Sequence, residues 1–220
     1  MAVPLHAQFA EALYREGAAP WDIGGPQPII RQLIALGAVR GRVLDPGCGT
    51  GWHAIAYAKA GCEVLGIDAA PTAVKRARSN ARQARVTAFF ETGDAADKLA
   101  AREGYFDTCV DVKFLDNLED TAARERYLAA LHRAAAPGAR LLLFGFDPTG
   151  AVNGFHNHEP APIDYESLLR GAGFAATYVG STTYQLNAAG WQPICPKCPG
   201  HLPGDRLHIP VVEVHAERRP

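Results

Sequence analysis

Between residues 42 and 146 the chain repeats one pattern, a short apolar run rich in β-branched residues followed by a segment of helical length. The runs are Val43-Leu44, Val64 to Ile67, Val86 to Phe90, Phe106 to Val112 and Leu141 to Phe146. Strands so widely spaced do not close hairpins; they pair in parallel through crossovers, with helices covering both faces of the sheet. The pattern therefore predicts an α/β fold with a doubly wound sheet. Pro71 opens a helix running to Ala84, and Thr121 is placed to cap Ala122 to Ala135, which Pro137-Gly138 would stop. Lys75, Arg76, Arg78, Arg82 and Arg85 read as the wet face of the first of these helices.

After residue 146 the texture changes, with Asp147-Pro148-Thr149-Gly150, a histidine pair and Pro160-Ala161-Pro162. A short helix is expected at Tyr165 to Arg170, a strand in Phe174 to Val179, and a closing strand at His208 to Ala216. No repeat or low-complexity linker interrupts the chain, so residues 1–220 read as one domain. Residues 1–40 form its N-terminal cap and helices, 41–146 its core, and 147–220 its loops and closing strands.

With 220 residues, 48% of them hydrophobic, the chain is large enough for one substantial core. Its 22 Lys and Arg against 23 Asp and Glu leave a formal charge of −1. That balance provides no global field to hold nucleic acid or an anionic membrane. Met1 to His6 lack a basic start and an apolar core, and no apolar stretch reaches the ~18–20 residues of a membrane helix. The five cysteines, Cys48, Cys62, Cys109, Cys195 and Cys198, are an odd set that does not suggest a disulfide scaffold. A cytoplasmic protein with reduced thiols is expected.

The segment Val43-Leu44-Asp45-Pro46-Gly47-Cys48-Gly49-Thr50-Gly51 leaves the first strand and opens a helix at Trp52. Glycines there let backbone approach a ligand at the carboxyl end of a strand. Asp68 ends the second strand 23 residues beyond Asp45, where an acid meets ribose hydroxyls in this architecture. Dinucleotide sites use G-x-G-x-x-G and set a pyrophosphate on the helix. Here the spacing is G-x-G-x-G, and Asp45 would repel a pyrophosphate but welcome an amino group, which S-adenosylmethionine carries.

These two motifs resemble the first two of the Rossmann-like S-adenosylmethionine-dependent methyltransferases. The resemblance implies a seven-stranded, mostly parallel sheet, with Asp45, Gly47, Cys48, Gly49, Thr50 and Gly51 at the methionine end of the cofactor and Asp68 at its ribose. Gly93-Asp94-Ala95 is similar to the next element, placing Asp94 and Ala95 at the adenine. Phe106 to Asp111 resembles the fourth strand, which puts Asp111 among the cofactor-side residues, and Pro137 to Leu143 resembles the turn into the fifth. Upstream, Pro20-Trp21-Asp22-Ile23-Gly24-Gly25-Pro26-Gln27-Pro28 is similar to a covering segment in small-molecule enzymes of the thiopurine, tellurite-resistance and heterocyclic-toxin kind, with Trp21 against the cofactor. In one departure, a histidine common past the fourth strand of that subgroup is missing from Asp111-Val112-Lys113-Phe114-Leu115-Asp116-Asn117-Leu118.

The resemblance implies methyl transfer to a small-molecule acceptor through sulfur, oxygen or nitrogen, enclosed by Trp21, Phe114, Phe146, Phe155 and Tyr184. Where a proton must leave the acceptor, His156 and His158 are the first candidates for a base, with Asp116 and Tyr184 behind them. Cys195, Cys198 and His201 have zinc-knuckle spacing and are candidate metal ligands, against the alternative of a structural loop. The Asn/Asp-Pro-Pro-aromatic element of adenine and glutamine methyltransferases does not follow the fourth strand, so nucleic acid is not expected as acceptor. Two alternatives remain open: a nicotinamide-dependent oxidoreductase on the same fold, and a non-catalytic protein that binds S-adenosylmethionine or metal.

Overall fold

The central strands bury residues alternately toward the two sides of a sheet, and that alternation sets the layers of the computed structural model. The structure describes residues 5–146, 163–191 and 206–219. Strands β1 (Arg42–Pro46), β2 (Glu63–Asp68), β3 (Phe89–Thr92), β4 (Phe106–Val112), β5 (Ala135–Phe146), β6 (Phe174–Asn187) and β7 (Arg206–Arg218) form a seven-stranded sheet. Its order is β3-β2-β1-β4-β5-β7-β6. β1 to β5 pair in parallel, and β7 runs antiparallel to both neighbours.

Val43, Val64, Val110, Leu142 and Phe144 face a layer of three helices, α2 (Pro28–Ala35), α3 (Trp52–Lys59) and α4 (Pro71–Ala84). Leu44, Ile67, Cys109, Leu141 and Leu143 face the other layer, α5 (Ala95–Leu99), α6 (Thr121–Ala134) and α7 (Tyr165–Gly171). Burial on both faces is what makes these strands continuous apolar runs, each large side chain contributing about 1.5–3 kcal/mol. The first helix, α1 (Leu5–Glu16), lies against α4, where Glu11 accepts the Thr72 N–H at 3.0 Å and its hydroxyl at 2.7 Å.

Several boundaries differ from the sequence reading. Asp120, not Thr121, caps α6: its extended backbone lets the carboxylate accept the Ala123 N–H at 2.8 Å. Pro137-Gly138 does not stop that helix, which has already given way to β5 at Ala135. β3 starts at Phe89 instead of Val86, because Arg85 turns left-handed (φ 56°) and the Val86 N–H is used on the Ala81 carbonyl to close α4. β6 continues eight residues past Val179 to Asn187, paired throughout with β7. No helix among the described residues is long and apolar enough to cross a membrane.

Candidate cofactor and acceptor site

Strand order puts β2 and β3 on one side of β1, and β4 and β5 on the other. The chain reverses direction across the sheet between β1 and β4, and the crevice beyond their carboxyl ends is where this architecture takes ligands. The loop from Pro46 to Gly51 lies there. Gly49 has φ 53°, and a Cβ on it would meet the Tyr14 hydroxyl at 2.6 Å. Gly51 has φ 83°, and a Cβ on it would meet Ala77 at 2.8 Å. Both conformation and space demand glycine. The loop is pinned by Cys48 N–H on the Ile67 carbonyl (3.0 Å), Gly51 N–H on Cys48 (2.9 Å) and the Asn80 amide on Thr50 (3.0 Å).

Asp68 belongs to that scaffold as well as to the crevice. One oxygen accepts the Gly49 N–H at 2.8 Å and the other the Ala70 N–H at 2.8 Å. Burial raises its pKa, against the two backbone donors. A carboxylate has about four lone-pair positions, so acceptor capacity remains for hydroxyl donors.

Asp45 is 1% exposed and accepts the Ala54 N–H, while Oδ2 has no hydrogen-bond partner. Its pKa is pushed up to about 8, by burial first and then by repulsion from Asp68 and Asp111. An unpartnered buried oxygen is costly, and an ammonium donor brought against it would remove that cost.

The covering segment is stitched over this crevice. Trp21 Nε1 donates to the Tyr14 hydroxyl at 2.7 Å with the rings edge to face, and Trp52 Nε1 donates to Asp22 at 3.1 Å. Gln27 brackets the Gln185 backbone, donating to its carbonyl at 2.9 Å and accepting its N–H at 2.8 Å. His53, which sequence reasoning passed over, accepts the Gln27 N–H at 3.2 Å through Nε2, and burial pushes its pKa down to about 4. Trp21 thus sits between Tyr14 and a cluster of Tyr184, Leu186, Leu207, Ile209 and Val211, joined by Val112 and Phe146. Tyr184 is buried there with its pKa raised by burial, so it acts as a wall and is unsuited to move protons near neutrality.

The remaining acids have internal partners. Asp94 caps α5 by accepting the Asp97 N–H at 3.1 Å and pairs with Arg126 at 2.9 Å, while Ala95 is buried behind it. Asp111 accepts the Tyr127 hydroxyl (2.9 Å) and the Phe114 and Leu115 N–H groups (2.9 and 3.2 Å). Burial pushes its pKa up to about 7. Asp116, with its side chain 2% exposed, receives Lys113 Nζ at 2.5 Å, Phe146 N–H at 2.7 Å and the Tyr165 hydroxyl at 2.6 Å. With both oxygens engaged, Asp116 is an anchor and not an open base.

Lys113 and Tyr165, like His53, are residues that sequence reasoning missed. Lys113 stands just past β4 with φ 66°, a conformation that costs an L-residue roughly 1–2 kcal/mol. The signal was a charged residue in the apolar stretch Val110 to Leu115. His156, His158, Phe155, Cys195, Cys198 and His201 lie outside the described residues. Among the described residues no group of three or more His, Cys, Asp or Glu is placed to hold a metal ion.

A family pattern described as a methyltransferase domain matches residues 43–138. A 2-heptyl-1-hydroxyquinolin-4(1H)-one methyltransferase of Mycobacteroides abscessus is 39% identical over 129 residues, which are 58% of this chain and 56% of that protein. The similarity thus spans little more than half of that relative. A probable thiol methyltransferase of Arabidopsis thaliana is 32% identical over 174 residues, covering 76% of this chain and 73% of its own. Among solved structures, one described with the conversion of a disulfide bond into a thioacetal group during echinomycin biosynthesis superposes with TM-score 0.77 at 29% identity. It covers 97% of this chain and 92% of that one.

Proposed function

Because the chain belongs to the S-adenosylmethionine-dependent methyltransferases, we propose that it methylates a small, partly apolar acceptor at sulfur or aromatic oxygen, in the cytoplasm. The observation that carries the cofactor assignment is the unpartnered Oδ2 of buried Asp45 beneath a loop that only glycine can form. S-adenosylmethionine fits these residues: it has an ammonium group for Asp45, ribose hydroxyls for Asp68, and no phosphate for Asp45 to repel. A nicotinamide dinucleotide lacks the first and has the last, and the similarity to methyltransferases leaves that alternative without support.

When bound, S-adenosylmethionine supplies an electrophilic methyl group on a sulfonium. The chain's own contribution is placement. Asp68 fixes the Gly49 backbone, so one acid sets both the ribose contact and the loop that carries the methionine end. Trp21, Val112, Phe146 and Tyr184 line the β4–β5 side, excluding water and orienting an apolar ring. Holding nucleophile and methyl carbon in line replaces much of the entropy a bimolecular displacement must lose. The names of the hydroxyquinolone and thiol methyltransferases support oxygen or sulfur as the atom methylated. Among the described residues the thiols Cys48, Cys62 and Cys109 are outside any disulfide, which is consistent with a reducing compartment.

Titration calorimetry with S-adenosylhomocysteine, followed by labelled methyl transfer to thiols, phenols and hydroxylated heterocycles, tests this function. Binding that is weakened at least tenfold in Asp45→Asn, with a methylated product from one of these classes, is the expected result. No heat with either form of the cofactor would end the proposal.

A further inference from the structure

Lys113 is a buried amine just past the carboxyl end of β4, the end of the sheet where this architecture takes ligands. It follows β4 directly, on the side of β1 opposite the strands whose ends serve ribose and adenine. Its Nζ lies 2.6 Å from the centre of the Phe146 ring and 2.5 Å from Asp116 Oδ2. Phe146 in turn belongs to the aromatic cluster with Trp21 and Tyr184. Asp116 is itself immobilised by the Tyr165 hydroxyl and the Phe146 N–H. The amine donates to Asp116 and lies over the Phe146 ring, and among the described residues it makes no other hydrogen bond.

We propose, on the footing of the methyl-transfer reading above, that Lys113 is the proton acceptor for the incoming nucleophile. Asp116 holds the amine in place, so the acceptor class is a neutral, weakly acidic thiol or aromatic hydroxyl. In the step, the neutral Lys113 amine takes the proton of the S–H or O–H group and becomes an ammonium paired with Asp116. The electron pair freed on the acceptor forms the new bond to the methyl carbon. The pair of the methyl–sulfonium bond stays on the departing sulfur, leaving a neutral thioether. No other reactant is needed.

The groups around the amine suit that exchange. Burial lowers the Lys113 pKa to about 8, while Asp116 and, more weakly, Asp111 raise it. Tyr165 faces the pair from α7, and Arg124 acts on Tyr165 from α6. At pH 7 about a tenth of the amine is neutral, against well under a hundredth for an ordinary lysine. The left-handed backbone at Lys113 is a second sign: a side chain is kept where glycine would be unstrained.

Lys113→Gly suits φ 66°, so the variant removes the amine while easing the backbone. Two probes separate a base from a structural cation: benzyl mercaptan, a thiol at pH 7, and 4-nitrothiophenol, already a thiolate. Lys113→Gly is expected to lose roughly 100-fold or more in kcat/KM on the first and less than about threefold on the second. Added ethylamine should restore the first by about tenfold. The wild-type rate on benzyl mercaptan should rise with a midpoint near pH 8, and the variant should lose that inflection. Equal loss on both thiols without rescue, or no loss on either, overturns the inference while leaving methyl transfer intact.

A second readout does not depend on turnover. In protein labelled with ε-13C lysine and saturated with S-adenosylhomocysteine, the resonance missing from Lys113→Gly should titrate near pH 8. A midpoint at the ordinary value of about 10.4 overturns the assignment whichever acceptors react. If S-adenosylhomocysteine does not bind at all, the parent reading fails first and this inference falls with it.

Discussion

Asp68 accepts the backbone N–H of Gly49 at 2.8 Å, so the acid at the end of β2 holds in shape the loop that follows β1. Two motifs far apart in the chain are thereby one mechanical unit. On the proposed cofactor placement, Asp68→Ala should lose a contact to the ribose and loosen the loop together. S-adenosylhomocysteine affinity should fall by about 10- to 100-fold, the range of a single hydrogen bond to a charged group. Calorimetry measures it, and an unchanged affinity would separate the loop from the acid.

The buried acids give the unliganded protein a defined pH dependence. Asp45 and Asp111, ordinarily near 3.8, are pushed up to about 8 and about 7, chiefly by burial. The folded state therefore holds their protons more tightly than the unfolded state does. Their stabilising contribution is full below about pH 3.8 and is lost as pH rises through 7 and 8. The unfolding free energy should fall from pH 5 to 8 by at most ~1.4 kcal/mol per pH unit for each group, and the melting temperature should fall with it. Asp45→Asn should flatten it. A melting temperature that climbs through this window contradicts the burial of both acids.

The same ionisation predicts a proton balance for ligand binding. An ammonium seated against Asp45 favours its charged form, so S-adenosylhomocysteine should expel a fraction of a proton between pH 6 and 7.5. Binding heats compared in phosphate and Tris buffers would reveal it. The difference should vanish in Asp45→Asn.

Gly49→Ala meets the Tyr14 hydroxyl at 2.6 Å and carries a side chain at φ 53°. Destabilisation of about 1–3 kcal/mol is expected, and Tyr14→Phe in the same chain should recover the part due to the hydroxyl. Denaturant melts of the two single variants and the double variant resolve the coupling.

The start of α6 offers a plain control. Asp120→Ala should cost about 1 kcal/mol by removing the 2.8 Å bond to Ala123 N–H, whereas Thr121→Ala should cost little. The reverse ranking would restore Thr121 as the cap.

The layers of this fold were legible because unbroken apolar runs such as Val43-Leu44 and Leu141 to Phe144, separated by helix-length segments, have one cause, a sheet covered on both sides. The glycine loop and Asp68 were legible because steric demands and ligand chemistry fall on consecutive residues. What sequence could not reveal depends on partners distant in the chain. Asp116 reads as a lone acid until Tyr165, 49 residues later, is seen to donate to it. Tyr184 reads as a candidate for proton transfer until Gln27 and a ring of aliphatic side chains enclose it. Lys113 was passed over because a lysine in a loop is ordinarily wet, and only the Phe146 ring and the Asp116 carboxylate give it another character. The start of β3 and the ends of α6 went astray by one to three residues, since a left-handed Arg85 and an aspartate cap leave weak traces in composition.

β7 lies between β5 and β6, although it is made after both. During synthesis β6 therefore has no rail to join until residues 206–218 have emerged, and the Gln27–Gln185 stitch that ties the cover to β6 must wait with it. The glycine loop can form early, but the roof above it is among the last parts to be assembled. A nascent chain stalled before β7 would present the cofactor's cradle open to the sky.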